Sequence, residues 1–300
     1  MAQLGLGLAA LGRPGYMTLG HAEDLASTAP DAMERQAHAV MDAAYANGVR
    51  HFDTARSYGR AEEFLAHWLS SRSPAGVRVS SKWGYRYTAG WQSTADSHEV
   101  KDLSRAHLDS QWEESRALLG KWLNVFQIHS VTLESGVLRD ARVLERLAEL
   151  KASGVEIGLS VTGARQADVI DAAIEIPVFT WVQATWNVLE PSSGPALQRA
   201  KNKGLQVITK EGLANGLLSS RGQLAGWLEF AAKHGVTPDA LALGVALRQP
   251  FIDVVLSGAA TVAHLESNLR ARNAPRTDEW KAFSKTAANY WDERSRLAWT

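Results

Sequence analysis

Asp53, Tyr58, Lys82 and His129 are four residues whose types belong together in one piece of acid–base chemistry. A tyrosine hydroxyl can protonate a developing alkoxide, but its unperturbed pKa near ~10 makes it a reluctant donor. A nearby ammonium stabilises the phenolate and lowers that pKa. A carboxylate beside the lysine holds it charged and in position, and a histidine can orient a carbonyl oxygen and share the proton. Together the four suit reduction of a carbonyl, with hydride from a cofactor and the proton from tyrosine. Singly, each has a plainer reading: Asp53 as a turn residue or cap, Tyr58 as packing, Lys82 as a solvated strand end, His129 as a core histidine. Their joint placement turns the balance, so the question passes to the elements that must carry them.

Those elements alternate along the whole chain. Runs of strand length lie at Leu4–Leu8, Val49–Asp53, Val77–Lys82, Asn124–His129, Val155–Val161, Val178–Gln183, Leu205–Thr209 and Ile252–Leu256. Each is followed by a helical pattern, such as Met33, Ala37, Val40, Met41 and Ala44, or Val143, Leu144, Leu147 and Leu150. Several helices stop at glycine before the next strand, at Asn47-Gly48, Ser153-Gly154, Lys203-Gly204 and His234-Gly235. Eight βα units in roughly 250 residues is the arithmetic of a TIM barrel. The competing open sheet lacks its G-x-G-x-x-G: Gly5, Gly7 and Gly12 have the wrong spacing and no following helix. The expectation is a single domain spanning residues 1–300, a (β/α)8 TIM barrel with long loops after strands 1 and 3 and a C-terminal extension. The irregular stretches 9–32 and 83–102 exceed ordinary loop length and are read as functional. In a TIM barrel the active site forms at the C-terminal strand ends. Asp53, Lys82 and His129 end strands two, three and four, and Tyr58 follows the second.

Composition narrows the function classes. Lys+Arg and Asp+Glu balance at 32 each, so no long-range field attracts nucleic acid or an anionic membrane. Cysteine is absent, which excludes disulfides, thiolate metal sites and a cysteine nucleophile, and no metal is expected. No apolar stretch reaches membrane length, and Leu4 to Leu11 lacks the basic flank of a signal. The chain is read as a soluble cytoplasmic protein acting on a small molecule, with a homo-oligomer possible.

The segment Gly48-Val49-Arg50-His51-Phe52-Asp53-Thr54-Ala55-Arg56-Ser57-Tyr58-Gly59, followed by Ala61-Glu62, resembles the signature of the aldo-keto reductases. Ser81-Lys82 and Gln127-Ile128-His129 resemble that family's other catalytic segments, in order; Gly5-Leu6-Gly7 and Gly235-Val236-Thr237-Pro238 resemble its first strand and a late helix start. The similarity runs from about residue 4 to 272. Its details are nearest to the branch of aldose 1-dehydrogenases and potassium-channel β-subunit-like proteins. The resemblance implies a nicotinamide-dependent (β/α)8 enzyme with Tyr58 as general acid, Lys82 as modulator of its pKa, Asp53 as the lysine's partner and His129 as substrate orienter.

The implied cofactor contacts are less regular. Ser160 matches the first residue of the family's Ser-Asn pair that holds the nicotinamide amide, but Val161 follows it; Gln183 matches the third amide ligand. After strand seven the family usually has a stacking aromatic and a Ser-Pro-Leu phosphate loop, where this chain has Lys210-Glu211-Gly212-Leu213. Lys210 is read either as reaching a phosphate or the ring, or as a solvated loop residue. After strand eight, Ser257, Gly258 and Thr261 lead into a helix bearing His264 and Asn268, a phosphate site by its position. The basic residues that usually grip the 2′-phosphate of NADP are missing, so NADP(H) is expected with NAD(H) possible; Arg270 or Arg272 could restore the grip. Trp83, Tyr85 and Trp91 are candidates for the substrate pocket, or else parts of a self-packed lid, and Trp291 and Trp299 could close the same pocket.

The leading function is therefore NAD(P)(H)-dependent reduction of an aldehyde or ketone, a sugar or aromatic carbonyl among the options, or the reverse. Two alternatives stay open. One is a cofactor-binding regulatory barrel with slow turnover; the other is a nicotinamide-dependent epimerase or lyase with no net redox change.

Overall fold

The structure, a computed structural model, describes residues 2–300. Eight parallel strands close into a barrel: β1 Gln3–Gly7, β2 His51–Asp53, β3 Arg78–Trp83, β4 Leu123–Val131, β5 Glu156–Val161, β6 Trp181–Thr185, β7 Gln206–Lys210 and β8 Val254–Ser257. The expected barrel is thus present, with each strand bonded to its sequence neighbours and β8 closing onto β1 from Gln3↔Val254 to Leu6↔Ser257. Strand bounds shift by a few residues; β6 starts at Trp181 rather than Val178, because the chain before it turns after Pro177.

Strand alternation determines what faces the barrel axis. Phe52, Phe126, Val182, Val207 and Val255 point outward into the main apolar layer beneath the helices. A small interior cluster of Val125, Trp181, Ile208, Val254 and Leu256 fills the barrel's lower half. Two residues further along the same strands, the inward positions become polar: Asp53, Lys82, Gln127 and His129, Ser160, Gln183 and Thr185, Lys210. Register keeps this layer level, pairing Lys82 with Gln127, Ser160 with Gln183 and Thr185 with Lys210. A polar layer at the strands' C-terminal ends is what a catalytic mouth needs.

Glycine supplies the reversals between helix and strand; Gly48, at φ 81°, ends the helix Pro30–Ala46 just before β2. The stretch after β3 is more ordered than its sequence suggests. Tyr85–Tyr87 and Glu99–Lys101 pair as an antiparallel hairpin over the mouth. The stretch after β1 contains the short helix His21–Asp24. At the far end of the chain the helix Ala287–Ser295 packs beside the mouth, and Thr300 exchanges backbone hydrogen bonds with Tyr16 at 3.1 and 3.2 Å. None of the helices among the described residues is long and apolar enough to cross a membrane.

Candidate active site

Asp53 is the hub of the polar layer. Its Oδ2 accepts a hydrogen bond from Lys82 Nζ; its Oδ1 accepts from Ser80 Oγ at 2.6 Å, Gln183 Nε2 at 2.9 Å and Gln127 Nε2 at 3.4 Å. Strands β2, β3, β4 and β6 thus converge on one carboxylate. Lys82 is fully buried and also donates to the Thr54 carbonyl at 3.0 Å. Its ammonium stands 3.5 Å from Tyr58 Oη, which is 3.5 Å from His129 Nε2. The other imidazole nitrogen lies 3.5 Å from Ser57 Oγ. The four residues singled out by type are therefore one contiguous cluster.

Tyr58 reaches it from the turn after β2, and that turn is pressed against the loop after β1. A Cβ on Gly12 would collide with the Tyr58 carbonyl and with Ala61, so only glycine permits this approach. Burial raises the Tyr58 pKa well above its ordinary value; Asp53 adds to the rise and Arg13 opposes it. The net direction is opposite to the lowering expected from Lys82. The physical reason is that the lysine's charge is largely answered by Asp53, so the pair acts on the phenol as a dipole and burial prevails. His129 is held well below its ordinary pKa by burial, with the charges of Lys82, Lys210, Arg13 and Lys101 acting in the same direction. A protonated phenol beside a neutral imidazole is the result.

The cavity above this cluster runs from Tyr58 and His129 past Gln183, Lys210 and Leu213 to Ser257, Gly258, His264 and Asn268. Ser160 and Thr261 do not line it. Ser160 Oγ accepts from the Ser130 amide at 2.8 Å, supporting a strand kink where Ser130 takes φ 53°. Thr261 caps the helix Val262–Leu269 by accepting from the His264 amide at 3.2 Å. Trp83 is fully buried in the β3 wall, and Trp91 packs on Phe64 with its indole N–H on the Thr28 carbonyl at 2.7 Å. Neither reaches the cavity. Tyr85 does meet the cluster, its ring edge-on to His129 at 5.1 Å.

Trp299, expected to close the pocket, does line the cavity near Tyr58. Arg13, Tyr16 and Glu99 line it there too, and they gave no signal in the sequence because they come from loops and a short hairpin. Lys210 donates to Thr185 Oγ1 at 3.0 Å, and its pKa is lowered to about 8, chiefly by burial. Glu211, at φ 55°, is gripped by Arg294 through Nε at 2.8 Å and Nη2. Although burial opposes it, Lys210 and Arg294 bring Glu211 down to about 2. Over the distal part of the cavity Arg221 reaches Asp24 bidentately, at 2.9 and 2.6 Å, and His264 Nδ1 stands 3.6 Å from the same carboxylate. Arg270 and Arg272 do not line it, and Arg272 bonds the Asn47 carbonyl instead.

A nicotinamide dinucleotide fits the free polar groups at both ends of this cavity. Gln183 spends its N–H on Asp53 and keeps its carbonyl oxygen for the cavity, while the buried Asn215 Oδ1 in the wall has no protein partner. A Cβ on Gly258 would meet nothing within 4 Å, which leaves the backbone at the helix start open to a phosphate.

A closed (β/α)8 barrel with this cluster at its mouth defines an oxidoreductase of carbonyl compounds. Residues 3–285 match the aldo/keto reductase family, and the chain belongs to that family, whose members act on small carbonyl substrates with nicotinamide cofactors. Among curated proteins it is similar to the uncharacterized oxidoreductase YqkF of Bacillus subtilis, 23% identical over 270 residues, covering 82% of this chain and 85% of the relative. Among solved structures it is similar to the holo form of aldo-keto reductase AKR11C1 from Bacillus halodurans, with a TM-score of 0.71 and 20% identity, covering 98% of this chain and 92% of that one. A Pseudomonas aeruginosa protein, PA4992, is similar at a TM-score of 0.65 and 23% identity, covering 90% and 89%.

Proposed function

We propose that this protein reduces an aldehyde or ketone with NADPH, or runs the reverse oxidation, with Tyr58 as the general acid. The observation that carries this reading is the convergence of Tyr58 Oη on both Lys82 Nζ and His129 Nε2 at 3.5 Å. When bound, the dinucleotide supplies or accepts the hydride; the rest is the protein's own work. The neutral His129 can donate its Nε2–H to a carbonyl oxygen placed between the two side chains. Tyr58, kept protonated by burial, gives its proton to that oxygen as charge develops there. The phenolate so formed faces Lys82, which Asp53 and the Thr54 carbonyl hold in place. Tyr16 and Trp299 line the cavity beside Tyr58, and Tyr85 backs His129 edge-on, so flat rings bound the space for the carbonyl.

For the cofactor, Gln183, Lys210, Leu213, Ser257, Gly258, His264 and Asn268 are proposed as contacts. Ser160 and Thr261 are proposed to act indirectly, through Ser130 and the helix cap. Arg221 meets His264 at the Asp24 carboxylate, in the part of the cavity where a 2′-phosphate is expected, but Asp24 already compensates its charge. A charged hydrogen bond is worth about 1.5–3 kcal/mol, so a compensated cation supports only a modest preference for NADP(H) over NAD(H). Dissociation constants for both cofactors, measured by tryptophan quenching at two salt concentrations, test this. A strong, salt-sensitive NADP(H) preference would contradict it. A screen of NAD(P)H oxidation over aldehydes, ketones and aldoses tests the activity; binding without turnover, or product without net oxidation, would overturn it.

A further inference from the structure

Arg13 is the most unusual charge in the molecule. It lies in the loop after β1, its side chain only 3% exposed, with its guanidinium carbon 4.9 Å from the Tyr16 ring centroid, 5.0 Å from that of Tyr58 and 4.7 Å from that of Trp299. Nη1 donates to the Ser57 carbonyl at 3.1 Å and to Glu99 at 3.0 Å; Nε has no protein partner. Burying a guanidinium is costly, and an orphaned N–H adds to the cost, so packing alone does not account for it.

We propose that Arg13 is a positioning residue for the reaction at Tyr58: tied to Ser57 and stacked on the tyrosine ring, it holds the phenol toward His129 and steadies the phenolate left by proton donation. This rests on the function proposed above. The face of a phenolate is more negative than that of a phenol, so the cation–π contact strengthens as the proton leaves. It is then stronger in the transition state than before it, which is the condition for a contribution to rate.

Other charged and titratable groups also face Tyr58: Asp53 and Lys82 from β2 and β3, His129 from β4, Tyr16 from the loop after β1, Glu99 from the hairpin and Glu211 from the loop after β7. Among the charges, Asp53, Glu99 and Glu211 raise the Tyr58 pKa, whereas Arg13 lowers it. The same residue holds Trp299, which stacks on His98 at 4.1 Å, so it also joins the pocket's outer wall to its reacting centre.

The test compares Arg13→Gln, Arg13→Lys and Trp299→Ala with wild type, in alcohol oxidation, where Tyr58 must act as base. Oxidation rises with pH as the phenolate forms. Arg13→Gln should lower kcat about tenfold or more, a one-unit shift being tenfold, and move the rising limb to higher pH. Arg13→Lys should restore part of both, because it returns the charge without the planar stacking. Trp299→Ala should raise KM and leave the limb in place. An unmoved limb with near-normal kcat in Arg13→Gln, or a Trp299→Ala that reproduces the shift, overturns the assignment. A readout without turnover is the 13Cζ resonance of Tyr58, identified by its loss in Tyr58→Phe. Its titration should begin at higher pH in Arg13→Gln than in wild type, and coincident curves overturn the proposal. If wild type turns over no carbonyl or alcohol, the proposed function fails while this resonance still decides the role of Arg13.

Discussion

At the scale of single residues, the proposed proton donor is the point on which everything else depends. Tyr58→Phe removes the hydroxyl and keeps the ring between Arg13 and His129. Its expected effect is a loss of ~10² to 10⁴ in turnover with cofactor affinity and fold unchanged. Steady-state kinetics beside a cofactor titration checks this, and near-normal turnover would exclude Tyr58 as the acid. Lys82→Met should also be inactive, and it leaves Asp53 buried without its ion-pair partner, so a fall of about 3 kcal/mol in stability should accompany the loss. Denaturant midpoints would reveal that second cost, which Tyr58→Phe should not show. The four residues of the cluster were legible in the sequence because three of them end neighbouring apolar strand-like runs, so that their types meet at one end of the barrel although each alone has an ordinary reading. Arg13 and Arg294 were not. One sits in an irregular loop and the other on an exposed-looking helix, and neither context makes an arginine unusual until the fold brings it inward.

At the scale of elements, alternation was enough to find all eight strands, since a buried parallel strand reads as a continuous apolar run. It was not enough for the hairpin after β3: Tyr85–Tyr87 and Glu99–Lys101 are three residues each and half polar, so their pairing depends on tertiary support. For Trp83 and Trp91 the sequence left pocket and packed lid open for a related reason, because an aromatic-rich stretch does not say which ring faces ligand and which packs on protein; both pack on protein. The helix Ala287–Ser295 matters to the site chiefly through Arg294 on Glu211, with Tyr290 Oη also accepting from Asn187 Nδ2, which donates to the Glu211 carbonyl. Glu211 holds a positive φ beside Lys210, and Arg294 secures it there. Arg294→Ala should therefore weaken cofactor binding several-fold and lower stability by about 1–3 kcal/mol, the loss expected when a charged hydrogen bond to a buried group is removed. Calorimetry of cofactor binding together with thermal unfolding would check both parts. Unchanged binding would mean that the helix serves packing alone.

At the scale of the whole molecule, the barrel's interior sets its tolerance of acid. His51 lies inside the lower barrel, 3.0 Å from Ser80 Oγ and 5.7 Å from the Trp181 ring, and burial lowers its pKa from 6.5 to about 4. A histidine with a lowered folded-state pKa binds its proton more readily in the unfolded chain. Its contribution to stability is thus full above about 6.5 and falls away as the pH drops toward 4, a loss of about 3 kcal/mol for a shift of this size. Glu211, brought down from 4.5 to about 2, adds a second loss at still lower pH by the same sign. Urea unfolding between neutral pH and pH 4 should show the first loss in wild type and much less of it in His51→Gln. Parallel curves for the two proteins would exclude His51 as its source.

Asp53 accepts hydrogen bonds from four side chains on three other strands, the farthest being Gln183, 130 positions along the chain. Chain closure over such a distance comes late, because its entropy is spent before the contact returns anything. Until β6 docks, then, the carboxylate and Lys82 have water as an alternative partner; afterwards they have only each other and the barrel. An observer following folding could use that moment as a marker, since a slowly exchanging Lys82 ammonium proton would report β6 in place opposite β2 and a readily exchanging one would report β6 still undocked. The carboxylate at the centre of the cluster is, by the same bonds, the molecule's own record of whether its two halves have met.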